Sequence, residues 1–391
     1  MTLGSPVNPA DDGITVCLGV QEGVISRVEV KSRRLISLTS PLIGRPPDQA
    51  ARLVAQLFSL CKVAQGLTSA QAFEAASSGL RPSFFQQIAR RFLLLGETVL
   101  EHGGRVALDW PQLVGQPPCL TAVKALRSAL GDFWRALYPA GDWMVPGGGA
   151  LQVNRGEVSR RLALVLDAMA ALDLPTREPR DRDQWQSWLG SALDKGNPAA
   201  LLILAKWGKD LRVGLSPLPV LPPGELESRM AADDGSFLAR PDWAGQVYET
   251  GPLARLQGHV LMQEVGQGRD FGFAARFAAR LVELLAAVRE MRDLAGALCD
   301  DPGFGVAVPS IDGAGLATVE AARGRLVHRV EVQKGVVTRY QILAPTEWNF
   351  HPKAALFQAL VGQPAGDHPA LLARLAAAAL DPCVACSVEV N

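Results

Sequence analysis

Apolar and polar positions divide this chain into segments of two periods. Ile14–Val20 and Val24–Val30 are rich in β-branched residues and are joined by Gln21-Glu22-Gly23, which predicts a hairpin near the start. Pro46-Pro47-Asp48 then opens a helix, with Ala51, Leu53, Val54, Leu57 and Leu60 spaced along one face. Helical spacing recurs over Ser69–Ala76, Ser83–Leu100, Leu120–Leu137, Glu157–Leu172, Trp185–Leu193 and Ala199–Lys206. The longest apolar stretch, Phe271–Leu298, is interrupted by Arg276, Arg280, Glu283, Arg289 and Glu290, so it reads as a helix of a protein interior rather than a membrane span. Arg325–Val332 and Val336–Ile342 alternate around Gln333-Lys334-Gly335 as a second hairpin, and Lys353–Leu360 and Pro369–Leu380 are the last helices. Met144–Ala150, with Pro146 and three consecutive glycines, is a loop. Leu215–Gly235 has no period and is rich in proline, glycine and aspartate, which predicts a surface excursion. The pattern predicts a mainly α protein with small β elements (α+β), and 391 residues suffice for one large core or two ordinary domains.

Composition adds a boundary to this picture. Hydrophobic residues are 48% and charged residues 20% of the chain, enough to bury a large core. Basic and acidic residues balance at 39 each, and no long basic tract interrupts them, so nucleic acid is not an expected partner. The start, Met1–Gly13, does not read as a secretory signal. Together with cysteines at 17, 61, 119, 299, 383 and 386, this suggests free thiols or metal ligands in a reducing cytoplasm, away from any membrane.

The candidate chemistry sits in the tail, Asp381-Pro382-Cys383-Val384-Ala385-Cys386-Ser387. Two cysteines at this spacing can share a metal or form a redox pair, but no second C-x-x-C exists to complete a tetrahedral zinc site. Asp381-Pro382 also fits an N-cap and first residue of a helix, a position whose amides favour thiolate. Cys17, Cys119 and Cys299 lie in apolar or helical surroundings and read as structural, while His102, His259 and His368 show no ligand spacing.

Asp-Pro-Cys-x-x-Cys resembles the C-terminal signature of the nickel–iron hydrogenase large subunit, with Glu389 where that family has histidine. Further segments resemble the family in the same order. Gln56 to Gln65 corresponds to a stretch with two cysteines and a histidine, of which this chain keeps Cys61 and replaces the others by Phe58 and Gln65. Gly251-Pro252-Leu253-Ala254-Arg255, Glu320-Ala321-Ala322-Arg323-Gly324 with His328, and Tyr340-Gln341 through Ala344-Pro345-Thr346 to Trp348-Asn349 complete the set.

The resemblance implies a hydrogenase-large-subunit-like fold in which Cys61 meets the C-terminal thiols. Carried over by position, Cys61 and Cys386 would bridge to iron and Cys383 would be a nickel ligand, while Phe58 stands where the second nickel-only cysteine would be. Arg323 and Thr346, with Ala344 and Pro345 beside them, would surround the cyanide and carbonyl groups of the iron, and Asp381 would orient Arg323. His328 and His351 lie in or beside matched motifs, at the edge of such a site. Thr39 falls where the family has a proton-carrying glutamate, and threonine does not titrate near neutral pH.

Retained iron ligands with a lost nickel ligand and proton gate are similar to hydrogenase accessory proteins of the HupK/HoxV type. That likeness implies a non-catalytic scaffold that takes iron as Fe(CN)2(CO), transiently and without nickel. Its implied partners are the HypC–HypD iron-loading complex and the hydrogenase large-subunit precursor. Two other functions fit the residues: a divergent catalytic or hydrogen-sensing subunit, and a metal-free interaction protein in which Cys383 and Cys386 are only redox-active.

Overall fold

The computed structural model describes residues 13–32, 36–175, 177–204, 213–265, 272–303 and 311–391. The expectations for Met1–Asp12, Lys206 and Phe271 lie outside them. Two three-stranded sheets frame a helical body. The first has the order β2-β1-β6, with β1 (Gly13–Gln21) antiparallel to β2 (Val24–Ser32) and parallel to β6 (Ala385–Val390). The second is an antiparallel meander of β3 (Gly313–Ala321), β4 (Gly324–Gln333) and β5 (Val336–Leu343). Both predicted hairpins form, each turning where a glycine follows a residue at positive φ, Glu22-Gly23 and Lys334-Gly335.

Two of these strands have no counterpart in the periodicity. In β3 the small residues of Gly313-Ala314-Gly315 hide the alternation, and smallness is required there. A Cβ on Gly315 would come 2.2 Å from the carbonyl oxygen of Ala72, because β3 lies hard against the Lys62–Ala75 helix. The other, β6, is fixed by its register on β1, with Cys386 opposite Ile14 and Glu389 opposite Cys17.

The helices follow the apolar spacing, with informative shifts. The helix expected at Ser69–Ala76 begins at Lys62 instead. Its residues from Val63 to Ala70 are all buried, so no polar face marks its first turns. The Phe84–Gly104 helix packs on this helix and on the Phe273–Ala295 helix, whose Arg276 and Arg280 are buried rather than exposed. Phe84–Gly104 runs on into a π-helical turn at Arg105–Asp109. The segment expected as a surface excursion holds the Pro223–Ala231 helix, and its Leu226 and Met230 form a second apolar cluster with Val327, Leu343 and Trp348. Asp381 does not start a helix, as its sequence suggested. It ends the Pro369–Leu380 helix in the left-handed conformation at φ 55°, its N–H bonded to Ala377. Among the described residues, no helix is long and apolar enough to cross a membrane.

Candidate functional site

A cavity of about 440 Å³ opens where the Lys62–Ala75 helix begins. A 3-10 turn, Ser59–Cys61, joins that helix to Pro47–Leu57 and sets Cys61 at its N-cap position. Glu97 of the Phe84–Gly104 helix fixes this junction: its carboxylate accepts the Val63 N–H at 2.6 Å and the Ala64 N–H at 3.0 Å. Opposite Cys61 the cavity is lined by Ala344, Pro345 and Thr346, at the start of the short Pro345–Asn349 helix, and by Arg323 in the β3–β4 turn. Cys383 and Val384 close it from the C-terminal side. Thr346 Oγ1 and Cys383 Sγ are 3.1 Å apart, within hydrogen-bond reach.

Three of the matched segments turn out to be one physical unit. Thr250 Oγ1 accepts the Arg325 N–H at 2.9 Å, Asn349 Oδ1 accepts the Thr250 N–H at 2.9 Å, and Asn349 Nδ2 reaches the Arg323 carbonyl at 3.4 Å. The turn can approach this closely only because Gly251 (φ 123°) and Gly324 (φ 136°) lack side chains. A Cβ on Gly324 would sit 2.5 Å from Thr250 Cγ2. The knot aims Arg323 into the cavity.

Arg323 is buried between two carboxylates. Its Nη2 donates to Glu101 Oε2 at 2.6 Å, and its Nε lies 3.6 Å from Asp381 Oδ2. Asp381 in turn meets Arg105 at 2.7 Å and Arg280 at 3.8 Å, so one buried carboxylate serves three guanidinium groups. Although burial opposes its ionisation, those cations hold its carboxyl well below the ordinary aspartate range. On the far side of the cavity, Gln65 Oε1 accepts a hydrogen bond from His328 Nε2 at 2.9 Å, while His328 Nδ1 accepts from the Tyr340 hydroxyl at 2.8 Å. Burial pushes His328 down to about 3, so it stays neutral and serves as a fixed polar strut.

The thiols divide. Desolvation, then the charge of Glu97, pushes Cys61 up to about 12, and burial pushes Cys386 up to about 11. Cys61, Cys383, Arg323, Thr346, Ala344 and Pro345 share the cavity, with Asp381 behind Arg323. Cys386, expected beside Cys61, does not join them. Its β6 register on β1 turns it to a neighbouring cavity lined also by Arg105, Asp109, Trp110 and Asp381. His351 lines neither cavity and bonds the Lys353 N–H instead. Phe58 stands in the wall between the thiol cavity and another that holds Thr39.

Glu97, Glu101 and Arg105 were not singled out by sequence reasoning. Their spacing of four residues, along one face of the Phe84–Gly104 helix and its π-helical extension, is the signal that marks them. Glu97 offers a direct test. Burial raises its carboxyl to about 7 despite the two amide donors. An unfolded glutamate loses its proton earlier, so stability falls as pH rises through this window, by about 3 kcal/mol in full. The unfolding free energy of native protein minus that of Glu97→Gln should therefore drop by about 3 kcal/mol between pH 4.5 and 8. A constant difference across that range would refute the assignment.

The fold and the site now meet known proteins. Residues 225–389 match the family described as nickel-dependent hydrogenase. The nickel–iron–selenium hydrogenase of D. vulgaris Hildenborough in its as-isolated oxidised state superposes with a TM-score of 0.69 at 17% identity, covering 93% of this chain and 94% of that one. The architecture is that of a nickel–iron hydrogenase large subunit. Among curated proteins, the hydrogenase expression/formation protein HupK of Rhizobium leguminosarum bv. viciae is 27% identical over 390 residues, 97% of this chain and 96% of that protein. HoxV of Cupriavidus necator, also a hydrogenase expression/formation protein, is 28% identical over 382 residues, 89% of each. This chain is a homologue of the HupK and HoxV hydrogenase expression/formation proteins.

Proposed function

We propose that this chain acts in hydrogenase maturation as a non-catalytic scaffold, holding the Fe(CN)2(CO) unit as cargo before it passes to the hydrogenase large-subunit precursor. HypC–HypD is the proposed source of the iron. The observation that carries the reading is the cavity in which Cys61 and Cys383 face Arg323 and Thr346. Iron bearing three strong-field diatomic ligands needs few donors from the protein, and two thiols meet most of that need. A bare ion would find an incomplete set, since no cluster of three or more His, Cys, Asp or Glu suited to a metal occurs among the described residues. The Arg323 guanidinium and Thr346 hydroxyl supply donors for cyanide nitrogen, and Phe58, Leu60, Leu326 and Val384 supply an apolar wall for carbonyl.

The same cavity speaks against nickel and hydrogen turnover. Phe58 offers no electron pair where a further sulfur would complete a nickel site, and Thr39, on the neighbouring cavity, carries no titratable proton. Because the Cys61 thiol is protonated at neutral pH, taking up iron must release a proton there.

Infrared spectra test the reading. Protein purified from a host with the hydrogenase maturation machinery should show bands in the window of metal-bound cyanide and carbonyl, with iron but no nickel by elemental analysis. Cys61→Ser and Cys383→Ser should each abolish the bands. A silent window in the folded native protein would sink the scaffold and leave a metal-free interaction protein.

A further inference from the structure

A second cleft shares no lining residue with the thiol cavity. It encloses about 830 Å³. Its floor is aliphatic: Leu166 and Met169 from the Arg155–Ala171 helix, and Leu285 and Val288 from the Phe273–Ala295 helix. Its rim is cationic. Arg177 and Arg180 come from the segment before the Arg182–Asp194 helix, and Arg289 and Arg292 stand one turn apart on the long helix.

Glu178 is the one carboxylate among the described residues of this lining, and it is already shared between Arg289 at 2.9 Å and His259 at 3.6 Å. Arg289 also meets Asp293 at 3.5 Å. The side chains of Arg177, Arg180 and Arg292 are exposed and have no acidic partner among the described residues. In a chain whose basic and acidic residues balance at 39 each, this is a local excess of positive charge around an apolar hollow. Guanidinium groups held together on one rim repel each other, and they pair with carboxylates through a planar fork.

We propose that this cleft docks an acidic segment of a partner protein, one that lays aliphatic side chains on the floor while its carboxylates engage Arg177, Arg180 and Arg292. Arginine clusters recognise acidic motifs, and an apolar floor flanked by charge suits a short amphipathic stretch. The arginines are spread over a loop and a helix, which suits several separate carboxylates better than one phosphate chain. The described lining holds no Phe, Tyr or Trp for a nucleobase to stack on, and its one imidazole, His259, lies against Glu178. The inference stands apart from the iron cargo, so either can fail alone.

The probe is a fluorescein-labelled synthetic peptide made only of glutamate and leucine at helical spacing, titrated with the full chain and followed by anisotropy. Saturable binding is expected, weakening as salt rises and absent for a lysine–leucine peptide of equal length. Arg177→Glu with Arg292→Glu should weaken it by about tenfold or more, with an unchanged circular dichroism spectrum, because both side chains are exposed and have no acidic partner among the described residues. Equal affinity in the double variant, or no saturable binding by the native chain, would overturn the proposal. So would ATP binding that depends on the same arginines while the peptide fails to bind, which would make the cleft a nucleotide site.

Discussion

Nickel should stay bound to a Phe58→Cys variant through desalting, where the native chain loses it. Phe58 lines the cavity shared by Cys61 and Cys383, at the C-terminal end of the Pro47–Leu57 helix, and it is only half-buried, so a smaller side chain costs little packing there. A sulfur at this position would add a third soft donor to the two already present, and thiolate-rich sets favour nickel over the harder divalent ions. Loss of an outer partner of a metal ligand lowers affinity about 10–100-fold, so gaining a ligand itself should raise it by at least about a hundredfold. Elemental analysis after nickel loading and gel filtration reads the effect. Adding Cys61→Ser to the variant should cancel it. If the single variant emerges nickel-free, the cavity is not a degenerate nickel site.

Asp381→Asn is expected to destabilise the fold by about 3 kcal/mol, at the low end for breaking a buried ion pair. Asparagine keeps the shape and tolerates the left-handed backbone at φ 55°, so the charge alone is removed. Three guanidinium groups then lose their common counter-ion. Arg105 retains Asp109, Arg323 retains Glu101, and Arg280 keeps the carbonyls of Ala378 and Ala379, which is why the loss is not larger. Because folding depresses this carboxyl, its contribution is present above the unfolded aspartate value near pH 4 and is lost as pH falls toward its lower folded value. Urea unfolding at pH 7 measures it. A change below about 1 kcal/mol would mean that the cluster is solvated in solution.

The sequence disclosed the frame where burial is one-sided and lost it where burial is complete. The Pro369–Leu380 helix and both hairpins stand within a residue or two of the periodic signal. The first turns of the Lys62–Ala75 helix, buried on every side, carry no such signal. The motif residues Cys61, Cys383, Arg323 and Thr346 converge because the Thr250, Gly324 and Asn349 knot and the Asp381 cluster lock their segments together. Cys386 shows the limit of spacing. Three residues beyond Cys383, it follows β6 to another cavity, because pairing with β1 outweighs proximity in sequence. Glu97 and Glu101 belong to no motif and are legible only as charges recurring on a buried helix face.

The parallel pairing of β6 with β1 bears on how the molecule is made. Cys17 and Glu389 touch across 372 positions, so this sheet cannot close until β6 has been made and brought back to β1. Contacts of such long range are slow to form, and until they do the β-branched edge of β1 stays open to neighbours. The thiol cavity, whose Cys383 wall leads directly into β6, is thus complete only once the two ends of the described chain have met. A chain whose C-terminal strand has not yet paired with β1 would present Cys61 without Cys383 opposite it.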